Sequence, residues 1–467
     1  MDAALLDDLR AAAGAAHVRT DRDARDAYGV DALKKGAPAD VVVLPGSTDE
    51  VAAVMRACAR HRVPVVPRGA GTGYTGGAVP VTGGVVLSLE RLNRILDIDV
   101  ANLLAVVEPC VITGDLQAAV ANVGLYYPPD PASLGQSSIG GNVAECAGGP
   151  RAFKYGVTRR YVLGLEAVLP GGQVIRTGGK SVKNVVGYDL TQLLVGSEGT
   201  LAVITKIIVR LVPLPPCRAT IRATFADVAA AANAVSALVR ARVVPAALEL
   251  IDADTLHAVA AYAPHQHIAP PGTGALLLIE VDGLEAATRE EAALVEAACR
   301  EAGATEVLSA SDAATQQALW EVRRVMSFAV RDMAPLKINH DIVVPKGRIP
   351  EVFALIDRLK STYDLRIPSF GHAGDGNIHV NIMVDPADAD MMARARAAER
   401  ALFEGTVALE GSITGEHGIG FSKLPFVSLE LGDGEIELMR RVKAAFDPEG
   451  LLNPGKVLPP VRTRDDG

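Results

Sequence analysis

In DVVVLP, residues 40–45, three valines run without a polar break, and then the period changes. The next apolar positions, Val51, Val54, Met55 and Cys58, lie three or four residues apart. An unbroken short run predicts a buried strand, and the wider spacing predicts one stripe of a helix. Ser47 and Glu50 stand where a capping box would start that helix. VPVVP (63–67) and GGVVLSL (83–89) read as two further strands on either side of a glycine-rich loop. TGDLQAAVANVG (113–124) predicts a second helix, with Leu116, Val120 and Val123 inward and Gly124 as its stop. LGLEAVLPGGQVIRTG (163–178), turning at Gly171-Gly172, and LAVITKIIVRLVPLPP (201–216) predict antiparallel sheet.

PLPP (213–216) is the strongest linker signal in the chain. Beyond it the pattern becomes alanine-rich helices, at about 225–241, 284–302, 314–331, 349–362 and 387–410, alternating with single strands. That alternation predicts an α+β domain, helices packed on an antiparallel sheet. AAFDPEGLLNPGKVLP, near the end, is turn-rich and has no partner nearby in sequence. The stretch from Thr255 to Ile279 carries no Asp, Glu, Lys or Arg, but Pro264, Pro270 and Pro271 make a spanning helix implausible.

Composition narrows the class. A chain of 467 residues favours two or three domains, and 22% charged residues suit a globular protein. A formal charge of −9 argues against a general nucleic-acid or anionic-membrane binder. The start, MDAALLDDLRAAAG, is acidic and lacks the apolar core of a signal peptide. The five cysteines are scattered with no CxxC, which speaks against a zinc ribbon or an iron–sulfur cluster and for a reducing, cytoplasmic compartment.

Gly71-Thr72-Gly73-Tyr74-Thr75-Gly76 is a literal GxGxxG, yet it runs into Gly77, Pro80, Gly83 and Gly84 and then a strand. A Rossmann loop must open a helix, so this loop lies between strands with no helix behind it. Two readings remain: a structural turn, or an anion-binding nest of glycine N–H groups. Residues 128–158, rich in glycine and proline, read as a long irregular stretch, which in a compact domain is usually functional. With GSEGTLAVIT (196–205) these loops suggest a large phosphate-bearing cofactor held mainly by backbone, with Ser137, Ser138, Asn142 and Thr158 as side-chain donors.

PRGAGTG, PPDPAS, SSIGGNVAECAGG, KYGVTRRYVLGLE, KNVVGYDLTQLLVGSEGTLAVIT, GHAGDGNIHVN, TGEHGIG and FDPEGLLNPGK occur in that order. Together they resemble the FAD-linked oxidases of the vanillyl-alcohol-oxidase (PCMH-type) superfamily. The nearest branch holds the flavoprotein subunit of bacterial glycolate oxidase and the FAD-dependent D-lactate and D-2-hydroxyglutarate dehydrogenases. The resemblance implies an N-terminal helical segment (1–37), a PCMH-type two-subdomain FAD-binding domain (38–216), an α+β cap carrying the substrate site (217–420) and a C-terminal segment (421–467) returning to the FAD domain. It implies that Arg68, Gly69, Ala70, Gly71, Thr72 and Gly73 receive the pyrophosphate, with Pro67 also at the cofactor. Pro131, Ser138, Gly141, Asn142, Gly148, Gly156, Thr158, Glu198, Gly199, Ile204 and Asn453 would line the rest of the FAD. Some relatives attach FAD through a histidine of the first loop; none of residues 67–80 is histidine, so this FAD is expected to be dissociable. Cys146 departs from the pattern, because relatives have asparagine there.

GHAGDGNIHVN (371–381) places His372 and His379 seven residues apart around Asp375-Gly376, a tight-turn signal. On one straight strand an odd spacing would send the two rings to opposite faces, and a turn between them removes that constraint. With Glu416-His417 on a second glycine-rich loop, the set reads as an open metal site or as a plain hydrogen-bonded network. The resemblance implies that His372, His379 and Glu416 hold a divalent metal, zinc, and that His417 is the base. It points to Arg323 of LWEVRRVM as the partner of a substrate carboxylate through its W-x-x-R pattern, with Arg324 solvated. Lys337 and Asn381 complete that grip, or Lys337 is a surface charge. His340, beside Asp341, suits packing or hydrogen bonding.

The implied reaction is oxidation of a small D-2-hydroxy acid (D-lactate, glycolate or D-2-hydroxyglutarate) to the 2-oxo acid, with hydride passing to flavin N5. With no cluster-binding cysteines and no NAD fold, an external acceptor is required: a quinone, an electron-transfer flavoprotein or an iron–sulfur partner subunit. A homodimer or hetero-complex, with peripheral attachment to the inner membrane through a partner, is compatible with this reading. Two alternatives stand beside it. One is a metal-free FAD-dependent alcohol or aldonolactone oxidase; the other is an FAD-binding subunit without activity alone.

Overall fold

The valine run at 41–43 becomes a strand with all three residues buried, and Val51, Val54, Met55 and Cys58 form the buried stripe of the helix Thr48–His61. Ser47 Oγ accepts from the Glu50 N–H at 3.1 Å, while the Glu50 carboxylate reaches back to the Gly46 N–H at 2.7 Å. The computed structural model describes residues 2–265, 268–310 and 312–460. These fall into two units, Met1–Gly148 with Val157–Leu214 and Glu416–Gly467, and Gly149–Gly156 with Pro215–Gly415.

In the first unit Val18–Arg19, Val41–Val43, Val85–Ser88 and Val65–Arg68 form one sheet in that order, its last three strands parallel. Residues 69–84 therefore connect parallel neighbours, which leaves them free to form a loop over the strand ends. The C-terminal segment adds to this sheet: Leu452 bridges Val65, and Asn453 N–H donates to Val65 C=O at 2.7 Å. A second sheet is antiparallel, in the order Ile95–Asp99, Leu104–Val107, Val203–Arg210, Val162–Val168, Val174–Gly178.

Two readings of this unit need correction. The second helix spans Thr113–Ala121, so it ends before Val123, which is 45% exposed. The stretch 128–158 is not irregular throughout: it contains the helices Ile139–Glu145 and Ala152–Tyr155. Glycines at 140 and 141 mask the first helix in sequence, and packing demands one of them, since a Cβ on Gly140 would lie 2.5 Å from Pro109 Cβ.

The second unit is built on a seven-stranded sheet in which every neighbour is antiparallel. Its order is Glu306–Ala310, Cys217–Phe225, Ala275–Gly283, Ala247–Asp252, Ser369–His372, Asn377–Val384, Leu336–Val343. Helices Val228–Arg240, Glu285–Glu301, Ile349–Tyr363 and Ala389–Ala408 pack in one group, and Ala253–Tyr262 with Ala313–Arg331 in another. Gly149–Gly156 lies with this unit rather than with the domain drawn at 38–216. The reason is electrostatic: Arg151 pairs with Glu280 at 3.0 Å, and Lys154 and the Tyr155 hydroxyl both donate to Asp282. The fold is α+β. No described helix is long and apolar enough to cross a membrane.

Candidate active site

The glycine loop of the first unit is a cradle in which glycines 69 and 71 leave no room for a side chain. A Cβ on Gly69 would lie 2.5 Å from Ser138 Oγ. Gly71 has φ +70°, and a Cβ there would stand 2.1 Å from the Arg68 guanidinium. Arg68 curls beneath the loop, donating to Val30 C=O at 2.7 Å. A cleft of about 590 Å³ opens here, lined by Tyr28, Arg68, Gly69, Ala70 and Ser138 among others. Backbone N–H groups with a cation beneath them fit an anionic dinucleotide, and any larger residue at 69 or 71 would intrude. Sequence reasoning placed no helix behind this loop. One is present, brought from elsewhere in the chain: Ser138 caps Ile139–Glu145, accepting from the Ala70 and Gly141 N–H groups.

Several residues singled out for the cofactor turn out to fasten these loops. Asn142 Nδ2 donates to Thr113 Oγ1 at 2.7 Å, and Thr158 Oγ1 donates to Ala147 C=O at 2.8 Å. Asn453 Nδ2 donates to the carbonyls of Gly77 and Glu198, at 2.9 and 2.8 Å. The buried Glu198 carboxylate accepts from the N–H groups of Ile419 and Gly420, both at 2.7 Å. Burial pushes the Glu198 pKa up, against the pull of those two N–H groups and of Lys423 and Lys456. Pro131 and Ile204 are buried, Gly199 (φ +66°) would place a Cβ 2.7 Å from Pro67 Cγ, and Gly156 ends the helix Ala152–Tyr155. Cys146 sits at φ 57°, a left-handed position that asparagine tolerates better than most residues.

TGEHGIG belongs largely to the first unit. The His417 carbonyl accepts from Thr75 Oγ1 at 2.9 Å, and its ring lies 5.4 Å from that of Tyr74. A Cβ on Gly148 would come within 2.9 Å of a Glu416 carboxylate oxygen, so glycine there leaves the acid its room.

In the second unit the paired histidines stand on a hairpin. Ser369–His372 and Asn377–Val384 are antiparallel, with His372 opposite Asn377 and Phe370 opposite His379. Residues directly opposite share a face, so 370, 372, 377 and 379 all point one way. The two imidazole centroids are 5.2 Å apart, edge to face, and both side chains are buried. Beneath them runs a charged chain. Glu249, in the middle of the strand Ala247–Asp252, accepts from His372 Nδ1 through one oxygen and from Arg323 Nε through the other. Arg323 is 6% exposed and its guanidinium lies 5.0 Å from the Phe370 ring centroid. Burial alone would raise the Glu249 pKa, but the charges of Arg323 and His372 outweigh it and hold it at about 2.

The neighbouring positions are sorted by the same sheet. Arg324 is exposed. Lys337 donates to Ser327 Oγ at 2.9 Å, and burial, with Arg331 nearby, pushes its pKa down to about 8. Asn381 is fully buried and its amide is already occupied, donating to Pro368 and His379 carbonyls and accepting from Asn339. His340 lies 2.9 Å from the Glu399 carboxylate and packs on Phe403. Asp341 accepts from the Gly415 N–H at 2.8 Å and from Thr414 Oγ1, and so pins the chain up to residue 415 onto the strand Leu336–Val343. Glu249 and Asp341 were missed as functional candidates. Each has a visible signal, an acid inside an otherwise apolar run: AALELI for Glu249 and HDIVV for Asp341.

Comparison with known proteins agrees with this geometry. Residues 214–457 match the family of FAD linked oxidases, C-terminal domain, and residues 39–178 match the FAD binding domain family. The chain is 45% identical to the glycolate oxidase subunit GlcD of Bacillus subtilis, over 90% of this chain and 88% of that one. It is 35% identical to a D-lactate dehydrogenase of Anaerostipes hadrus, over 90% and 89%. Among solved structures, p-cresol methylhydroxylase aligns with a TM-score of 0.83 at 19% identity, over 97% of this chain and 96% of that chain, a likeness of fold. A side-chain-poor dinucleotide cradle in one unit, a histidine-bearing antiparallel sheet in the other and these matches together place the chain in the FAD-linked oxidase family, as an FAD-dependent oxidoreductase.

Proposed function

We propose that the chain oxidises a small D-2-hydroxy acid, of the glycolate, D-lactate or D-2-hydroxyglutarate type, to the 2-oxo acid. The observation that carries this reading is the Arg323–Glu249–His372 chain beneath two facing imidazoles. Such a set suits a substrate that joins a carboxylate to a hydroxyl, because it offers a cation and imidazole nitrogens on one sheet face. FAD in the glycine cradle supplies the hydride acceptor, and a divalent cation, zinc by donor type, on His372, His379 and Glu416 supplies a Lewis acid for the hydroxyl. Glu249 accepts from His372 Nδ1 and so leaves Nε2 as the ligand nitrogen, a division of labour common to metal-binding histidines.

His417 accepts the hydroxyl proton, a role for which an imidazole ring nitrogen is suited. Arg323 and Lys337 hold the substrate carboxylate, while Asn381 keeps the histidine strand in place. Electrons taken up by FAD held in the cradle would leave to an external acceptor, a quinone, an electron-transfer flavoprotein or an iron–sulfur partner subunit. Two relatives named as glycolate oxidase subunits support a multi-chain assembly.

The test is anaerobic mixing of the FAD-loaded protein with each of the three acids, following flavin absorbance, beside elemental analysis of the same sample. Bleaching by at least one acid, with one metal per chain that is lost in His372→Ala, is expected. A flavin that stays oxidised with all three rejects the substrate class, and full bleaching by metal-free protein rejects the Lewis-acid role.

A further inference from the structure

The cleft beside the glycine loop takes Arg68, Gly69 and Ala70 into its lining. The later part of the loop, Tyr74 to Gly76, packs on a different neighbour, the segment 417–422. Thr75 is 2% exposed. Its Oγ1 donates to the His417 carbonyl at 2.9 Å, and its own carbonyl accepts from the Phe421 N–H at 3.0 Å and the Ser422 N–H at 3.2 Å. The approach is too close for a side chain at either turn. A Cβ on Gly420 would stand 2.1 Å from the Thr75 carbonyl oxygen, and one on Gly76 would stand 2.0 Å from Phe421 Cε1. The Tyr74 ring lies beside that of His417, tilted by 31°.

Glu198 grips the same segment. Its carboxylate oxygens take the N–H groups of Ile419 and Gly420, one each, and a Cβ on Gly418 would come within 2.8 Å of its Oε1. The Gly420 carbonyl in turn accepts from the Val457 N–H at 3.1 Å. Residues 416–422 lie in neither helix nor strand. Such backbone has no ladder of its own, so outside partners decide where it stands. Thr75 fixes the peptide that leaves His417, and Glu198 fixes the N–H groups that follow it. Rotation of that peptide would swing the imidazole.

We propose that Thr75 and Glu198 are positioning residues for His417, so that the later part of the glycine motif is the seat of the base rather than a wall of the cofactor cradle. This rests on the reading of His417 as the group that accepts the hydroxyl proton. A positioned general base contributes roughly 100- to 10,000-fold to a rate. A displacement of about 1 Å forfeits up to roughly 100-fold of such a contribution. Substrate binding and FAD binding do not depend on where that base stands, and they should survive its displacement.

The experiment is anaerobic flavin bleaching of FAD-loaded protein by D-lactate, glycolate and D-2-hydroxyglutarate over a range of concentrations. The proteins are wild type, Thr75→Val, Thr75→Ser, Glu198→Gln, His417→Ala and the double variant Thr75→Val with His417→Ala. Thr75→Val keeps the side chain's shape and should lower the limiting rate roughly 10- to 100-fold. Its FAD affinity and half-saturating acid concentration should stay within about twofold of wild type, as for a group that acts only in the chemical step. Thr75→Ser keeps the hydroxyl and should restore most of the rate. The double variant should be no slower than His417→Ala alone, because residues that act through one another are not additive. Glu198→Gln, with one accepting oxygen in place of two, should show the same split at smaller size, and it decides the matter if Thr75→Val melts early. Wild-type limiting rates in Thr75→Val and Glu198→Gln overturn the inference. So do a loss of FAD affinity in place of rate, and losses that multiply in the double variant. His417→Ala bleaching at the wild-type rate would instead overturn the role of His417 itself, and the inference with it.

Discussion

The glycine cradle and the histidine hairpin solve opposite problems. The cradle works by absence: at 69 and 71 a missing side chain leaves room, and backbone N–H groups supply the polarity. The hairpin works by presence, with Glu249, Arg323, His372 and His379 all buried and holding one another. A site of the first kind is damaged by adding atoms. A site of the second kind is damaged by removing charge. The difference also fixes how each is anchored. The cradle is fastened by side chains brought from elsewhere in the chain, such as Asn453, which donates to the Gly77 carbonyl, whereas the cluster is its own anchor.

The largest effect expected from this contrast follows the loss of the Glu249 charge. Glu249→Gln leaves the Arg323 guanidinium buried without its counter-ion, and breaking a buried pair from one side costs about 3–5 kcal/mol. The variant should unfold at clearly lower denaturant concentration, with the His372 ring no longer held by a carboxylate. A midpoint equal to wild type would mean that Arg323 finds water or another acid, and the cluster would not be self-anchored.

A smaller effect follows from adding one carbon to the cradle. Gly71→Ala places a side chain at φ +70° against the Arg68 guanidinium. The left-handed conformation costs about 1–2 kcal/mol of stability for a residue with a Cβ, and the displacement of Arg68 from beneath the loop should weaken FAD binding in addition. Gly124→Ala is the matched control, because φ is +76° there and nothing lies within 4 Å of the added carbon. It should lower stability by a similar amount and leave FAD binding unchanged. If both variants lose FAD equally, the effect is global and the cradle is not defined by its missing side chains.

The two sites also differ in how far the sequence reveals them. The hairpin was legible because its logic is local: a turn at Asp375-Gly376 decides the faces of His372 and His379 within eleven residues. Glu249 was not, since its partners lie 74 and 123 positions away and only the sheet order Ala247–Asp252 beside Ser369–His372 unites them. In the cradle, glycine spacing and the following strand were enough to reject a helix directly after the loop. The helix Ile139–Glu145 that does abut it was hidden by its own glycines.

The smallest effect concerns a group at the edge of the cluster. Burial, followed by the charge of Arg331, lowers Lys337 from its ordinary 10.5 to about 8, so between those values the unfolded chain binds more protons than the folded one. Stability then rises with pH across that window, and the gain is lost as pH falls through about 8. Its size is modest, because the side chain is partly exposed and Ser327 shares its charge. Lys337→Met should remove this slope, raise the melting temperature slightly at pH 7, and converge with wild type near pH 10. Parallel melting curves for the two proteins from pH 7 to 10 would show that Lys337 keeps its ordinary affinity for protons. The cluster would then anchor through Glu249 and Arg323 while leaving its rim in contact with water. If the slope is abolished as expected, burial governs the charge of Lys337, and the contrast with the backbone-lined cradle extends to the margin of the site.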